Sequence, residues 1–296
     1  METLTDSDQT DNTVTVQEKI WARLLGKRAV VIGGSIVACF IIIAIVTPWI
    51  APYSYEEQSL SHQYQPPSNE HLMGTDSKGR DLLTRIMYGS RISLAVGFAA
   101  TSVSILIGIA YGTIAGYFGG KIDNYMMRFV DIMYGIPFMF LVILMMTILG
   151  RNIYVLFVAL GAVQWLTMAR IVRGQTVTLK EREFVEAARA LGASNFRIIT
   201  RHIIPNLMGP VIVFATLTIP TVMLEEAFLS FLGLGVQPPM ASWGSLTAAG
   251  IAVTSPVKTY WWLIVFPGSA IAVTLFSLNF IGDGLRDVMD VRNNKL

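Results

Sequence analysis

Glu183-Phe-Val-Glu-Ala-Ala-Arg-Ala-Leu-Gly-Ala-Ser-Asn-Phe-Arg-Ile-Ile-Thr-Arg-His-Ile-Ile-Pro205 is the most informative stretch of this 296-residue chain. It is a charged island between two apolar runs, and it parses as two short helices. The first covers 183–191 and stops at Gly192, which suits the left-handed position after a helix; Ser194 can cap a second that heads back into apolar sequence. Phe184, Ala188 and Leu191 share one face at i, i+4, i+7. A helix lying on a membrane surface carries bulky apolar residues toward lipid, whereas this one has Ala187 and Ala188 at its centre and charges on several sides. Small side chains permit close approach, Glu186 is able to pair with a basic group, and a bend at Gly192 sets the interhelical angle. The segment is thus shaped for a protein groove, with a plain polar loop as the alternative.

The flanks explain where such a segment sits. The chain is 53% hydrophobic and 14% charged, too apolar for a soluble domain, in which charged residues approach a quarter of the total. Six runs without Asp, Glu, Lys or Arg are near the length needed to cross a bilayer: 29–50, 92–117, 132–150, 152–169, 202–224 and 259–282. The fourth is the shortest and carries Gln164. With six spans both termini lie on one side, and that side holds sixteen Lys and Arg against six on the other. The positive-inside rule places both termini, and the 170–205 connection, in the cytoplasm. The first run begins too late and is too long for a cleaved signal peptide. Cys39, the only cysteine, lies within it and reads as a small apolar filler.

Between the spans the composition separates roles. Residues 1–18 are polar and aperiodic and read as a disordered tail. Residues 51–91, with Tyr53, Tyr55, Tyr64, Pro66 and Pro67, read as an extended, interface-hugging outside loop. Segment 225–258 carries Gly233, Gly235, Pro238, Pro239, Gly244 and Gly250, so it cannot face lipid; it either folds into an outer pathway mouth or forms an outside cap. Ala100, Ser104, Gly108, Gly112, Gly116 and Gly120 recur every fourth residue along the second span, a seam for close helix packing within the chain or against another subunit. Pro137 and Pro220 each remove a backbone hydrogen bond and favour a kink. Glu225 and Glu226 follow the fifth span. They invite a role in gating or in contact with a substrate ammonium, against simple interfacial solvation.

Catalytic and metal signatures are missing from the sequence. No Gly-x4-Gly-Lys-[Ser/Thr] phosphate loop occurs, since Gly26-Lys27 lacks the earlier glycine and the hydroxyl residue. His62, His71 and His202 are too dispersed to suggest a metal cluster. Asp76 to Asp81 has Lys78 where a calcium loop needs an oxygen ligand, so a structured turn is the better reading. No paired acid, base or nucleophile lies in the spans, which disfavours an intramembrane enzyme. A stand-alone secondary transporter is disfavoured because neither deep ionisable residues nor an inverted repeat is evident.

Glu186-Ala187-Ala188, then Gly192, then His202-Ile203-Ile204-Pro205 resembles the coupling motif of permease subunits in binding-protein-dependent ABC importers. His202 departs from the usual aliphatic residue and, with Asn206, is similar to the peptide-importer branch. The blocks 74–81, 89–94, 168–175, 228–235 and 282–287 are similar to the C-type permease of oligopeptide importers, so the resemblance runs from about Gly74 to the end. It implies an all-α integral membrane protein, six transmembrane helices of the type I importer permease fold. The implied division is a cytoplasmic tail 1–28, a first span 29–50, a periplasmic loop 51–91, a permease core 92–283 containing the coupling loop 170–205, and a cytoplasmic tail 284–296. Glu186, Ala187, Ala188, Gly192 and Pro205 would couple to an ATPase, with Glu225 and Glu226 as candidates on the substrate pathway. The implied partners are a homologous B-type permease, two cytoplasmic ABC ATPases that hold ATP and magnesium, an extracytoplasmic peptide-binding protein and membrane lipid, with no cofactor or metal in this chain and no nucleic acid. Oligopeptides are the implied cargo, with dipeptides, nickel complexes or cell-wall peptides as alternatives.

Overall fold

The computed structural model describes residues 23–289, and the tail at 1–18 and the last residues, 290–296, lie outside them. Among the described residues the long elements are helices: α1 (Arg28–Ile50), α2 (Leu82–Phe118), α3 (Gly120–Tyr134), α4 (Phe138–Leu149), α5 (Ile153–Leu179), α6 (Glu183–Ala190), α7 (Asn195–Phe231), α8 (Trp243–Val253) and α9 (Trp262–Met289). Five are long and apolar enough to span a bilayer. A sixth span exists if α3 and α4 are one crossing, and the two are bent by 84°. Pro137, the N-cap of α4, has no N–H to continue the ladder of α3, so the kink read from sequence is a full break.

The spans overrun the charge-free runs at most ends. α2 begins ten residues before 92 because Asp81 caps it, its carboxylate accepting from the Thr84 N–H at 2.8 Å. α5 continues past 169 to Leu179, carrying Arg170 and Arg173 on helix rather than in the connection. α7 continues past 224 to Phe231, and α9 runs through Asp283, Arg286 and Asp287. Charged residues at span ends remain helical because their long side chains reach polar surroundings, and a reading of charge-free runs truncates them. The helices thus extend beyond the expected boundaries at 91 and 283, α2 starting at Leu82 and α9 continuing at least to Met289.

The seam in α2 closes within the chain, against α5. A Cβ on Gly112 would stand 2.4 Å from the Ala169 carbonyl oxygen, and one on Gly116 would stand 2.8 Å from that of Arg173. Ala100 and Ser104 are fully buried, and on α5 a Cβ added to Gly161 would stand 2.9 Å from the Ala100 carbonyl oxygen. Gly120 is the exception, with open space around it at the start of α3.

At the end of the bundle where α2 begins, residues 51–81 pack as a folded loop rather than an extended one. Thr75 is fully buried and Asp76 nearly so. The Asp76 carboxylate accepts from the Lys78 and Arg80 amides and from the Arg80 and Arg85 guanidiniums, the last at 2.5 Å. Burial pushes its pKa up, but Arg85 and Arg80 outweigh that and hold it below the usual carboxylate value. All four of its acceptor directions are used within the chain, in keeping with a structured turn rather than a calcium loop. Tyr64 stacks on Tyr260 at 4.2 Å, fixing the loop to the start of α9.

Two outcomes test this packing. Gly112→Val should lower the stability of the purified protein by about 1–3 kcal/mol through overpacking, read as a fall in Tm, whereas Gly174→Ala, inside α5 with open space where its Cβ would stand, does not lower it. The contribution of Asp76 is fully present above the usual 3.8 and is lost as pH falls through its lowered folded value. Asp76→Asn should therefore melt well below wild type at pH 7, by about 3 kcal/mol, and the gap should begin to narrow below pH 3.8 and close once the pH passes the lowered folded value. A gap that persists at low pH would assign the effect to something other than the carboxylate's charge.

Candidate coupling connector and membrane cavity

The connector is built from local signals. Glu183 and Glu186 occupy the first turn of α6 and Arg189 the last, each on the side that the helix dipole favours. Gly192 takes φ +80° with open space where a Cβ would be, so its backbone angle rather than its size requires glycine. The Gly192 and Ala193 amides donate to the Arg189 and Ala188 carbonyls, closing the helix end. Ser194 then accepts from the Arg197 amide and starts α7. Residues Ile199–Ile203 form a π-type turn, with the Ile204 amide reaching the Ile199 carbonyl. Pro205, which cannot donate, follows at once.

The buried face of α6 is Val185 with Ala188, packed against Tyr117, Ile198, Ile203 and Leu207. The face shared by Phe184, Ala188 and Leu191 is not the buried one: of those only Ala188 is buried, and Leu191 is 88% exposed. The helix is only eight residues long, and its orientation is set by ties to neighbouring spans rather than by its own periodicity. Tyr117 donates to Asn195 Oδ1 at 2.8 Å, and Lys180 Nζ to the Gly116 carbonyl at 3.0 Å. Glu186, Ala187, Gly192 and Pro205 are exposed, together with Phe196. Four of the five motif residues thus face solvent, and Ala188 is the one that seats α6 against the bundle.

At mid-bundle the α3–α4 break opens a cavity of about 310 Å³. Tyr134, Pro137, Phe138, Gln164, Thr167 and Glu225 contribute to its lining. Gln164 Nε2 donates to Glu225 Oε1 at 2.7 Å, while Glu225 Oε2 is buried without a hydrogen-bond partner. On one rim, Arg170 lies 4.0 Å from the Tyr134 ring centroid and pairs with Asp131 at 2.5 Å. Nearer the connector, Arg173 grips both oxygens of Asp123, tying α5 to α3.

Glu225 and Glu226, expected to follow the fifth span, lie inside α7, and the two carboxylates part company. Glu226 is 2% exposed and its Oε1 accepts from Ser230 and from Ser242, both at 2.7 Å. Ser242 caps α8, so Glu226 is a structural clamp and interfacial solvation is overturned for it; Glu225 alone reaches the cavity. Gln164, Tyr134, Arg170 and Arg173 were not singled out from sequence. Gln164 was noted only as a polar interruption, which was the available signal. One histidine reading is also corrected: His62 and His71 meet, with ring centroids 5.7 Å apart, because the loop folds back on itself.

With this geometry in place, the chain is matched by the family model of the binding-protein-dependent transport system inner membrane component over residues 108–295, and it belongs to that family. A second model, the N-terminal TM domain of oligopeptide transport permease C, matches residues 18–67. The chain is 49% identical to the oligopeptide transport system permease protein OppC of Haemophilus influenzae, over 92% of this chain and 87% of the relative. It is 46% identical to OppC of Escherichia coli, over 92% and 89%. The dipeptide transport system permease protein DppC of Bacillus subtilis is 44% identical over 91% and 84%. Inward-facing structures of the MetNI methionine ABC transporter share the fold, with TM-score 0.55 at 20% identity, over 68% of this chain and 94% of that chain.

Gly192→Ala should cost about 1–2 kcal/mol from its positive φ alone. Glu226→Ala, which strips the cap residue Ser242 of its acceptor, should cost about 1–3 kcal/mol. Melting curves of the purified variants check both, and equal losses for Glu225→Ala would contradict the separation of the two carboxylates.

Proposed function

We propose that this chain is the permease subunit of an ATP-driven importer of oligopeptides in the cytoplasmic (inner) membrane, with both termini and α6 on the cytoplasmic side. The observation that carries the reading is that Glu186, Ala187, Gly192 and Pro205 are exposed on a connector held against the bundle by Val185 and Ala188. A helix with exposed small residues beside one carboxylate, seated on the ends of α2 and α7, suits a cleft on an ATPase and would pass its motion to the spans. Membership in a transport family without a phosphate loop in the sequence puts nucleotide binding on other subunits. We assign ATP and magnesium to two ABC ATPases, and substrate capture to an extracytoplasmic peptide-binding protein. A homologous B-type permease would complete the pathway, with the α3–α4 break and Glu225 at its wall. An unpaired buried carboxylate oxygen at mid-depth is the chemistry that would meet a peptide ammonium. Oligopeptides are favoured because OppC of Haemophilus influenzae and of Escherichia coli, at 49% and 46%, are more similar than DppC at 44%; that 44% keeps dipeptides as the second reading.

The test is uptake of labelled peptide by the reconstituted complex. Glu186→Arg and Gly192→Pro should abolish ATP-driven uptake while the chain still inserts and assembles. Glu225→Ala should reduce uptake at least tenfold without uncoupling ATP binding. Normal transport by Glu186→Arg would remove the coupling assignment, and uptake by this chain alone on an ion gradient would replace the importer reading with that of a secondary transporter.

A further inference from the structure

We propose that His62, Glu70 and His71 form a binding site for a borderline divalent transition-metal ion of the Zn2+ class, with Asp81 as the residue that orients His71. One ligand atom from each of the three lies within 4.8 Å of the others. His71 is 4% exposed, and its Nδ1 stands 3.0 Å from Asp81 Oδ1. A carboxylate only accepts, so in this pair Nδ1 carries the hydrogen and Nε2 presents its lone pair. Nε2 is buried and has no hydrogen-bond partner. A buried imidazole acceptor without a donor is costly, and a cation is the partner that a second imidazole and a carboxylate would share with it.

The surroundings hold the donors in place. Ser68 Oγ accepts from the His71 amide, and the His71 carbonyl accepts from the Ser68 and Gly74 amides. The hydroxyl of Thr75 donates to the His62 carbonyl. Tyr53 packs on the His71 ring at 4.9 Å and donates its hydroxyl to the Glu70 carbonyl. The Glu70 side chain is exposed and makes no hydrogen bond or ion pair among the described residues, so it is free to swing inward. Tetrahedral ligands at zinc distances stand about 3.3 Å apart, which a rotamer change in Glu70 and a small turn of His62 would reach. Two imidazoles and one carboxylate suit Zn2+ over Ca2+ or Mg2+, and leave a fourth position for water. Bound there, the ion would tie the Leu60–His62 turn to the loop ahead of α2, and Asp81 would link it to the first turn of that helix.

That this site faces outside the cell rests on the topology proposed above; the site itself does not. The purified complex, stripped with chelator, is titrated with Zn2+ against a chromophoric competitor, and melted with and without Zn2+. We expect one Zn2+ per copy of this chain and a higher Tm with metal. His62→Ala and Glu70→Gln, both outside the buried core, should weaken that binding at least tenfold and remove the Tm shift. Asp81→Asn should weaken it about 10–100-fold, as loss of an orienting partner does. Zn2+ affinity, stoichiometry and Tm shift unchanged in the His62→Ala/Glu70→Gln double variant would overturn the site, as would a wild-type complex that takes up no Zn2+. A complex that binds Zn2+ as described but imports no peptide would leave the site standing and remove the transport reading instead.

Discussion

The approach of α2 to α5 is the constraint on which the rest of the molecule depends. In lipid no hydrophobic force distinguishes helix from solvent, so contact has to come from backbone fitting against backbone. Gly108, Gly112 and Gly116 supply that fit along three turns, each with α5 where a side chain would stand. Once α5 is fixed, Gln164 faces the cavity, Arg173 reaches Asp123, and Lys180 is close enough to hold the end of α2. The connector that follows inherits its position from that seam rather than from its own eight-residue helix.

A second theme is the division of labour between adjacent acids. Glu225 and Glu226 are neighbours in sequence, and successive residues on a helix point about 100° apart. One carboxylate meets Gln164 and the cavity, while the other is locked between Ser230 and the cap of α8. A short helix cannot stabilise itself in isolation, so α8 depends on such ties. Its Trp243, fully buried, donates through Nε1 to the Ile86 carbonyl, and Gly89 leaves the room it needs.

What was legible in the sequence follows from which signals are local. Gly192 and Ser194 are cap signals, and both are found in the expected roles. The every-fourth-residue stripe was legible as a seam, although which helix it met was not, because a stripe does not name its partner. Helix ends lie beyond several of the charge-free runs because absence of charge was the criterion, while the helices run on to a cap at Asp81 and through Arg170 and Arg173. Which face of α6 packs inward was not legible, because eight residues hold too few turns for periodicity to choose between Leu191 and Val185. The meeting of His62 with His71, and the orphaned oxygen of Glu225, depend on tertiary folding and leave no spacing to read. The family resemblance reached the membership that the comparisons bear out, through blocks whose joint presence is more specific than any one motif.

The unbroken course of α7 has a mechanical meaning. From Asn195 to Phe231 it is 37 residues, about 55 Å of rod, with one end in the connector and Glu225 about 45 Å along it. A tilt of about 5° about the connector would move the Glu225 end by about 4 Å, roughly the width of a water molecule and more than a hydrogen bond survives. A small rotation of α7 about its connector end would thus be enough to part Glu225 from Gln164. Pro210 and Pro220 lie between the two ends and set how much of that rotation arrives and how much is absorbed as bend.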